Sequence, residues 1–476
     1  MAAAPTQGKR EGSIADAFVS LSGIARSPLP QRYLEHKKAL VEGHEKDVID
    51  SWNRLLPQLK RENETIYREG PRIIPTIRFR DLDRDLVELR SEIERRGVAV
   101  VKGVVPEEEA RSLKSEIEEY VTQNPHTKAF PPHDPQVYEL YWSAPQIRAR
   151  AHPNLLRVQA ALMQKLWRTS DPRSALSMSP LSYADRLRIR QPGDASFALG
   201  PHVDGGSVER WEPDGYGRGG VYNKIFEGVW EEYDPWDATT RVSAVIDNHN
   251  GLGACTMFRM FQGWLSMSAT NPFEGTLMVN PAIKLSTAYF LLRPFFRPIS
   301  DLDRVSVDDY LAAENWEFAG SEMTSELQGA TPGHGQELST VLHPHLDLEN
   351  TMVHVPPIKP GDLVVWHCDT IHAVDKVHKG QSDSSVLYIP VCPLTESNAR
   401  YLVRQREAFL SGTPGPDFPG GRGEADHINR PTERYLRSIA TAEGLRACGF
   451  QKLAPDNAST VGARNMVSLA NEILGF

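Results

Sequence analysis

Cysteine is scarce in this sequence of 476 residues, which contains only Cys255, Cys368, Cys392 and Cys448. No two of these form the CxxC pair of a zinc ribbon or a thioredoxin-like site, and so few cysteines do not indicate a disulfide-stabilised domain. Long apolar runs are missing as well, since no stretch of about 18 apolar residues is present. Residues 1–13 also lack the apolar segment of a secretory leader. We therefore expect a cytoplasmic protein without a membrane partner.

Positive charge is in deficit, because 53 Lys and Arg residues stand against 62 Asp and Glu residues and give a formal net charge of −9. This balance argues against binding to nucleic acid, although it is compatible with a local basic pocket. Hydrophobic residues make up 40% of the chain and charged residues 24%, as in ordinary globular proteins. The expected partner is a small-molecule substrate, and the sequence carries no indication of the oligomeric state.

The chain divides into helical flanks around a turn-rich β region. Residues 1–23 show no periodicity and are predicted to form a flexible tail. Residues 24–183 and 395–476 space their apolar residues as helices do, and they are predicted to form flanks, the second of them packed on the core. The predicted core spans residues 184–394, with insertions near 211–250 and 300–340.

Eight short segments of the core either alternate polar and apolar residues or are continuously apolar, and Gly, Pro or Asn separates most of them. The predicted strands lie around His202 and at 185–190, 256–268, 275–280, 287–296, 351–355, 362–367 and 384–391. Short strands with such turn signals are typical of a sandwich or a double-sheet jelly roll.

The segment 200–205 (GPHVDG) separates His202 from Asp204 by two positions. Residues i and i+2 of a strand face the same side, so an imidazole and a carboxylate would converge there. The pair on its own also fits the polar end of a strand. It is therefore a weak signal until a third ligand is found.

A later segment supplies candidates for that ligand. Residues 360–372 (PGDLVVWHCDTIH) read as a tight turn, an apolar strand and two histidines, His367 and His372. Two histidines and one carboxylate form the facial triad of non-haem Fe(II) sites that keep open coordination positions. The two segments together predict such a site.

These motifs resemble the Fe(II)/2-oxoglutarate oxygenases, in particular the phytanoyl-CoA-hydroxylase-like group, and most closely the family called domain of unknown function 1479. The resemblance covers roughly residues 80–476 and rests on segments 137–143, 202–204, 261–264, 292–296, 343–346, 367–372 and 470–476. It implies a double-stranded β-helix (jelly roll), a mainly β core within an α+β protein, with helical N- and C-terminal flanks. It also implies iron ligands at His202, Asp204 and His372, with His367 inside the preceding strand.

The resemblance further implies Fe(II), 2-oxoglutarate and O2 as cofactors. The reaction would oxidise a C–H bond of a small, carboxylate-bearing, amino-acid-like substrate of secondary metabolism. The outcome could be hydroxylation, desaturation or ring closure. Two alternatives stay open: a metal-binding sensor without turnover, and a cupin-like metal enzyme that does not use 2-oxoglutarate. A JmjC-like protein hydroxylase is disfavoured, because no reader module or basic tract is visible.

One feature departs from the family pattern. Many of these enzymes hold the far carboxylate of 2-oxoglutarate with an arginine shortly after the last metal ligand, whereas residues 380–385 (GQSDSS) contain none. Arginine suits this task because its fork binds both oxygens of a carboxylate. The candidates for the cosubstrate are Arg188, Arg259, Arg293, Ser384 and Tyr388. The candidates for the substrate are Arg190, His343 and His345, although a solvated strand face or internal pairing would also explain such residues.

Overall fold

The computed structural model describes residues 9–24, 27–252, 254–454 and 460–476. The strands are β1 Thr76–Arg78, β2 Val98–Lys102, β3 Ala129–Phe130, β4 Val137–Tyr138, β5 Leu176–Leu181, β6 Leu187–Arg190, β7 His202–Val203, β8 Phe261–Ser266, β9 Leu277–Val279, β10 Phe296–Pro298, β11 Trp316–Phe318, β12 Gln336–Glu337, β13 Val353–His354, β14 Leu363–His367, β15 His372–Val374, β16 Ser384–Tyr388 and β17 Cys392–Thr395. They form antiparallel pairs except for β1 and β2, which are parallel.

The helices lie before, between and after these strands. They are α1 Val19–Ser22, α2 Arg32–Val41, α3 Glu45–Glu69, α4 Leu82–Glu88, α5 Arg90–Arg96, α6 Glu107–Gln123, α7 Ala144–Ala151, α8 Pro153–Leu166, α9 Asn223–Phe226, α10 Ile283–Leu292, α11 Val307–Leu311, α12 Leu348–Thr351, α13 Glu396–Ser411, α14 Glu433–Ile439, α15 Ala442–Ala447 and α16 Val461–Leu474. Within the described ranges, none of these helices has the length and apolar character needed to cross a membrane.

Two sheets organise this mixed α/β fold. The larger has the order β1-β2-β14-β8-β16-β6-β4-β3, and the smaller has the order β12-β7-β15-β9-β13. Side chains alternate across each strand. Val364 and Trp366 of β14 therefore pack with Leu277 and Val279 of the smaller sheet in one apolar cluster. The intervening residues of β14 point to the opposite face, where they join the core formed with α6 and α8.

The predicted strand at 287–296 was wrong, because most of this segment belongs to α10. Nearly every residue of α10 is buried, so its apolar run carries no amphipathic period that would distinguish a helix from a buried strand. Arg293 was expected in this strand, but it lies in the 3-10 turn that follows α10.

The N-terminal flank also contributes to the large sheet. The strand β2 of this flank pairs with β14 along Val98–Val101. The strands β3 and β4 extend the other edge, where β4 pairs with β6. The C-terminal helices α13 and α16 pack on the side of the core that contains β5 and β17.

Candidate functional site

Strand pairing in the smaller sheet brings three chemically active side chains together. β7 and β15 are antiparallel neighbours, and His202 lies directly opposite His372. The Nε2 atom of each histidine lies 3.7 Å from one carboxylate oxygen of Asp204, and the two imidazole centroids are 4.1 Å apart. The HxD motif and the late histidine thus meet at one point.

Hydrogen bonds orient both imidazoles toward that point. The Nδ1 atom of His202 lies 2.7 Å from the Gly200 carbonyl oxygen, and Nδ1 of His372 lies 3.0 Å from that of Thr370. A carbonyl only accepts, so each Nδ1 carries the proton and each Nε2 keeps its lone pair. This backbone orientation of the far nitrogen is typical of histidines that bind a metal. The donor set of two imidazole nitrogens and one carboxylate therefore fits a divalent transition metal.

The electrostatics agree with a neutral His372 beside an ionised Asp204. Burial and the neighbouring His202 lower the pKa of His372 to about 3. Burial alone would raise the pKa of Asp204, but the two neighbouring histidine side chains and the cations of Arg259 and Arg186 outweigh it and keep the pKa below its usual value.

The triad lies in the wall of a cavity that, with its open mouth, encloses about 1070 Å³ of empty space. Arg188, Trp264, Leu277, Trp366 and Tyr388 form the wall between the two sheets. The remaining wall comes from the loops around Asp185, Gly205, Cys255, Arg259 and Gly333, and from residues 14–18 of the N-terminus.

Three arginines line this cavity, and two of them, Arg188 and Arg259, were candidates for the cosubstrate from the sequence. Arg186 pairs with Asp185 at 3.2 Å. Arg188 donates from one terminal nitrogen to Gln136 at 2.7 Å and to the Phe197 carbonyl at 2.5 Å. Burial lowers the pKa of Arg188 to about 10. The third, Arg259, lines the cavity with only 5% of its surface exposed.

Five other predicted ligand-binding residues do not line the cavity. Arg190 is held internally by Asp194, at 2.6 Å, and by the Asp375 carbonyl. Arg293 donates to the Leu342 and Phe296 carbonyls. These bonds satisfy buried cations within the fold, so both assignments are corrected to structural roles.

The remaining three have structural contacts as well. The hydroxyl of Ser384 donates to the Gly275 carbonyl at 3.2 Å. His345 contacts the Tyr289 hydroxyl at 3.0 Å and packs against aromatic rings, and burial lowers its pKa to about 3. His343 is fully buried near Ser339. The sequence could not distinguish these interior positions from cavity positions.

His367 belongs to a separate environment. Its ring stacks on Trp167 with centroids 4.8 Å apart. Its Nε2 donates to the Pro235 carbonyl at 2.9 Å, and its Nδ1 accepts from the Asp369 N–H at 3.0 Å. Because both nitrogens are engaged, this histidine has no free lone pair for a metal.

The neighbouring Asp369 anchors a buried ionic network. It pairs with Arg241 at 2.5 Å and accepts hydrogen bonds from the hydroxyls of Tyr222 and Tyr233, at 2.9 and 3.2 Å. Burial opposes ionisation of Asp369, but Arg241 dominates and lowers its pKa. The network joins the first insertion to the segment that leads into β15.

We expect Asp369→Asn to destabilise the protein strongly. The amide keeps the shape of the side chain but leaves the Arg241 cation buried and uncompensated, which costs about 3–5 kcal/mol. Urea unfolding followed by circular dichroism measures this loss. The matched substitution Asp303→Asn changes a carboxylate whose side chain is 81% exposed. It should alter the free energy of unfolding by less than about 0.5 kcal/mol. Equal effects of the two substitutions would contradict the assignment of Asp369 as the residue that compensates the buried Arg241 cation.

Residues 9–22 form an ordered N-terminal strap across the cavity, although the sequence predicted a flexible tail over 1–23. Residues 1–8 of that prediction lie outside the described ranges. Ile14, Ala17 and Phe18 line the cavity, and the Phe18 ring meets the His202 ring edge-on at 4.9 Å. The 14, 17, 18 spacing is one helical turn of apolar residues, a signal too short to outweigh the polar composition around it.

An ion pair anchors the start of the strap. The Nζ atom of Lys9 lies 2.5 Å from a carboxylate oxygen of Asp247 and 2.8 Å from the Gly251 carbonyl oxygen. Further along, the Gly335 N–H donates to the Ala17 carbonyl at 2.8 Å. These bonds tie the strap to the loops that contain Asp247, Gly251 and Gly335.

We expect Lys9→Ala to loosen the strap. Loss of a buried charged hydrogen bond should speed hydrogen exchange of the amides of residues 14–22 about 10- to 100-fold. Mass spectrometry of exchanged peptides measures this change. Arg10→Ala is the control, because that side chain is 72% exposed and its ion pair with Asp16 is long, at 3.9 Å. Unchanged exchange in the Lys9 variant would show that the ion pair does not hold the strap.

Comparison with known proteins gives consistent matches over most of the chain. Residues 27–450 match the family model described as Gig2-like. The uncharacterized protein YbiU of Escherichia coli (strain K12) is 31% identical over 423 residues, which cover 85% of this chain and 92% of that protein. The crystal structure of GlcNAc Inducible Gene 2, GIG2 (DUF1479), from Candida albicans has a TM-score of 0.83 at 30% identity and covers 95% of this chain and 96% of that chain. The hypothetical protein JW0805 from Escherichia coli has a TM-score of 0.72 at 30% identity and covers 89% of this chain and 99% of that chain.

Proposed function

This chain belongs to the Gig2-like family, and we propose that it is a non-haem Fe(II)- and 2-oxoglutarate-dependent oxygenase. It would use O2 to oxidise a C–H bond of a small, carboxylate-bearing substrate. The observation that carries the proposal is the triad of His202, Asp204 and His372 in the cavity wall, with both Nε2 atoms directed at the carboxylate.

The order of the strands supports a double-stranded β-helix as the frame of this site. Neighbours in the smaller sheet alternate between early and late strands of the core, in the order β7, β15, β9, β13. The larger sheet does the same with β14, β8, β16 and β6. A chain that winds between two facing sheets produces this interleaving, because each turn adds a strand beside one laid down earlier.

The three ligands would leave open positions on a six-coordinate Fe(II). When bound there, iron with 2-oxoglutarate supplies the activation of O2 and the oxidation of the substrate. The protein's own contribution is to hold two neutral imidazoles and one carboxylate in fixed orientation. The apolar wall of Trp264, Leu277 and Trp366 would exclude water from the reacting groups.

Arg188 and Tyr388 are the pair best suited to the far carboxylate of 2-oxoglutarate. They lie on neighbouring strands, β6 and β16, and both line the cavity. Arg188 uses one terminal nitrogen for Gln136 and Phe197. Burial raises the pKa of Tyr388, so its phenol stays protonated and can donate. A dianion brought between the sheets would therefore meet a cation and a hydroxyl donor.

The test is direct measurement of cosubstrate binding and turnover. The protein is loaded anaerobically with Fe(II) and titrated with 2-oxoglutarate, and binding is followed by the metal-to-ligand absorbance. Oxygen and ascorbate are then added and succinate is measured. Binding and succinate formation are expected for the parent, whereas Asp204→Ala should lose both. A protein that binds Fe(II) but neither binds nor consumes 2-oxoglutarate would contradict the proposal and favour a metal-binding sensor or a cupin-like enzyme.

A further inference from the structure

The cavity contains a buried cation, Arg259, that has no ion-pair partner within the part of the chain that the structure describes. Arg259 is 5% exposed and lines the cavity. Among the residues that the structure describes, none forms a hydrogen bond or an ion pair with its guanidinium. Its guanidinium carbon lies 5.6 Å from the centroid of the Tyr183 ring. By contrast, Arg186 and Arg188 have the partners described above.

The carboxylates around Arg259 are committed elsewhere. Asp185 pairs with the side chain of Arg186 and accepts from the backbone N–H of Arg186 at 2.7 Å. Asp204 lies with the two histidines of the triad. Their charges favour the ionised form of Arg259, but neither carboxylate is within ion-pair distance of it. The surrounding groups outweigh burial and raise the pKa of Arg259, so its guanidinium stays charged. A ligand carboxylate would therefore meet a cation with which no carboxylate of the described residues forms an ion pair.

The charges of the cavity wall lead to the same conclusion. Three arginines face two aspartates, and a divalent metal would add two positive charges. These groups together carry three positive charges in excess. The dianion 2-oxoglutarate offsets two of these charges and leaves one. Burial raises the pKa of Cys255 to about 12, so that thiol does not supply the missing negative charge. One further carboxylate would bring the filled cavity close to neutrality.

The surroundings of this position indicate what the rest of the ligand is like. Arg259 precedes β8, and the cavity that it lines is also lined by Leu252, Ala254 and the strap residues Ile14 and Phe18. An acid with an apolar body would place its charge on the guanidinium and its body against these side chains. Resting on the function proposed above, we infer that Arg259 is a substrate-binding residue that receives the carboxylate of an organic acid at a subsite separate from the cosubstrate.

The experiment compares an acid with its amide. Propionate and propionamide have nearly the same shape, and only the first is an anion. Each is titrated into the full chain, both metal-free and loaded with Mn(II) and N-oxalylglycine, an unreactive analogue of 2-oxoglutarate. Tryptophan fluorescence reports binding, and the affinity for N-oxalylglycine is measured separately. The variants are Arg259→Gln, Arg259→Lys and, as an exposed control, Arg304→Gln, whose side chain is 74% exposed.

We expect the parent to prefer propionate over propionamide. Arg259→Gln should weaken propionate binding by about 30-fold or more, the lower end of the effect of removing one partner from a buried charge pair. It should leave N-oxalylglycine affinity unchanged. Arg259→Lys should retain part of the propionate affinity, which also guards against misfolding of the glutamine variant. The Arg304 control should match the parent.

Two results would overturn the inference while leaving the proposed function intact. In one, Arg259→Gln weakens N-oxalylglycine rather than propionate, which would make Arg259 the clamp of the cosubstrate. In the other, the parent fails to prefer the acid over the amide. If Mn(II) and N-oxalylglycine do not bind at all, the proposed function fails, and the titrations of the metal-free protein still decide whether Arg259 binds a carboxylate.

Discussion

Replacing His372 by alanine is expected to abolish stable Fe(II) binding, whereas replacing His367 by alanine is expected to leave the metal bound. Loss of a hydrogen-bond partner of a metal ligand already weakens a site about 10- to 100-fold, so removal of a ligand should exceed 100-fold. His372 offers its Nε2 to the triad, whereas both nitrogens of His367 are engaged by the protein. Iron content after gel filtration and calorimetric titration with Fe(II) under anaerobic conditions measure the difference.

The His367 variant should differ from the parent in stability instead. Its ring is fully buried against Trp167 and Trp236. Its removal should therefore lower the free energy of unfolding by about 3 kcal/mol, as for other buried aromatic side chains. The His372 variant should be affected less in the metal-free state. Loss of iron from the His367 variant, with iron retained in the His372 variant, would reverse the assignment.

Short-range rules identified the two segments that hold the triad, and the family resemblance linked them. The two-residue period of a strand puts His202 and Asp204 on one side. The turn, apolar strand and following histidine of segment 360–372 identify the second element. The match of residues 27–450 to the Gig2-like model confirms the family resemblance that linked the two. Nothing in the sequence alone fixes the 3.7 Å approach of His372 to Asp204, since that comes from pairing between β7 and β15.

The arginines illustrate the limit of this reasoning. The two-residue period of a strand places Arg188 and Arg190 on one face of β6, opposite the face from which Leu187 and Ile189 enter the core. Which of them reaches the cavity depends on residues far along the chain. Asp194 and the Asp375 carbonyl hold Arg190 inside the fold. Periodicity contains no information about such partners.

The N-terminal strap could not be predicted either, because its contacts are with residues distant in the sequence. Phe18 contacts the ring of His202, although the whole N-terminal flank, residues 24–183, lies between them in the sequence. The strap is apolar over a single turn and gains its order from the loops to which it is tied. The burial of Phe18 depends on parts of the chain that are distant in sequence. Local composition does not contain this information, and it therefore predicted a flexible tail.

Replacing Arg188 by methionine is expected to weaken 2-oxoglutarate binding by about 2–5 kcal/mol, which is roughly 30-fold to several thousand-fold. Methionine preserves much of the length of the side chain but removes the cation that would offset the lost hydration of the far carboxylate. Fe(II) binding should persist, because Arg188 is not one of the three ligands. Tyr388→Phe removes one neutral donor and should have a smaller effect, about 0.5–1.5 kcal/mol.

Two controls distinguish a lost clamp from general damage around β6 and β16. Ser384→Ala alters a residue of β16 that does not line the cavity and whose hydroxyl donates a hydrogen bond to the Gly275 carbonyl. The 2-oxoglutarate affinity of this variant should equal that of the parent. Gln136→Leu removes the partner of Arg188 at 2.7 Å but keeps the cation, so it should retain most of the affinity. Anaerobic titrations of the Fe(II)-loaded variants, followed by the metal-to-ligand absorbance, provide the affinities. If Arg188→Met binds 2-oxoglutarate as the parent does while Arg259→Gln does not, the cosubstrate extends toward Arg259, and the two arginines exchange the roles proposed for them.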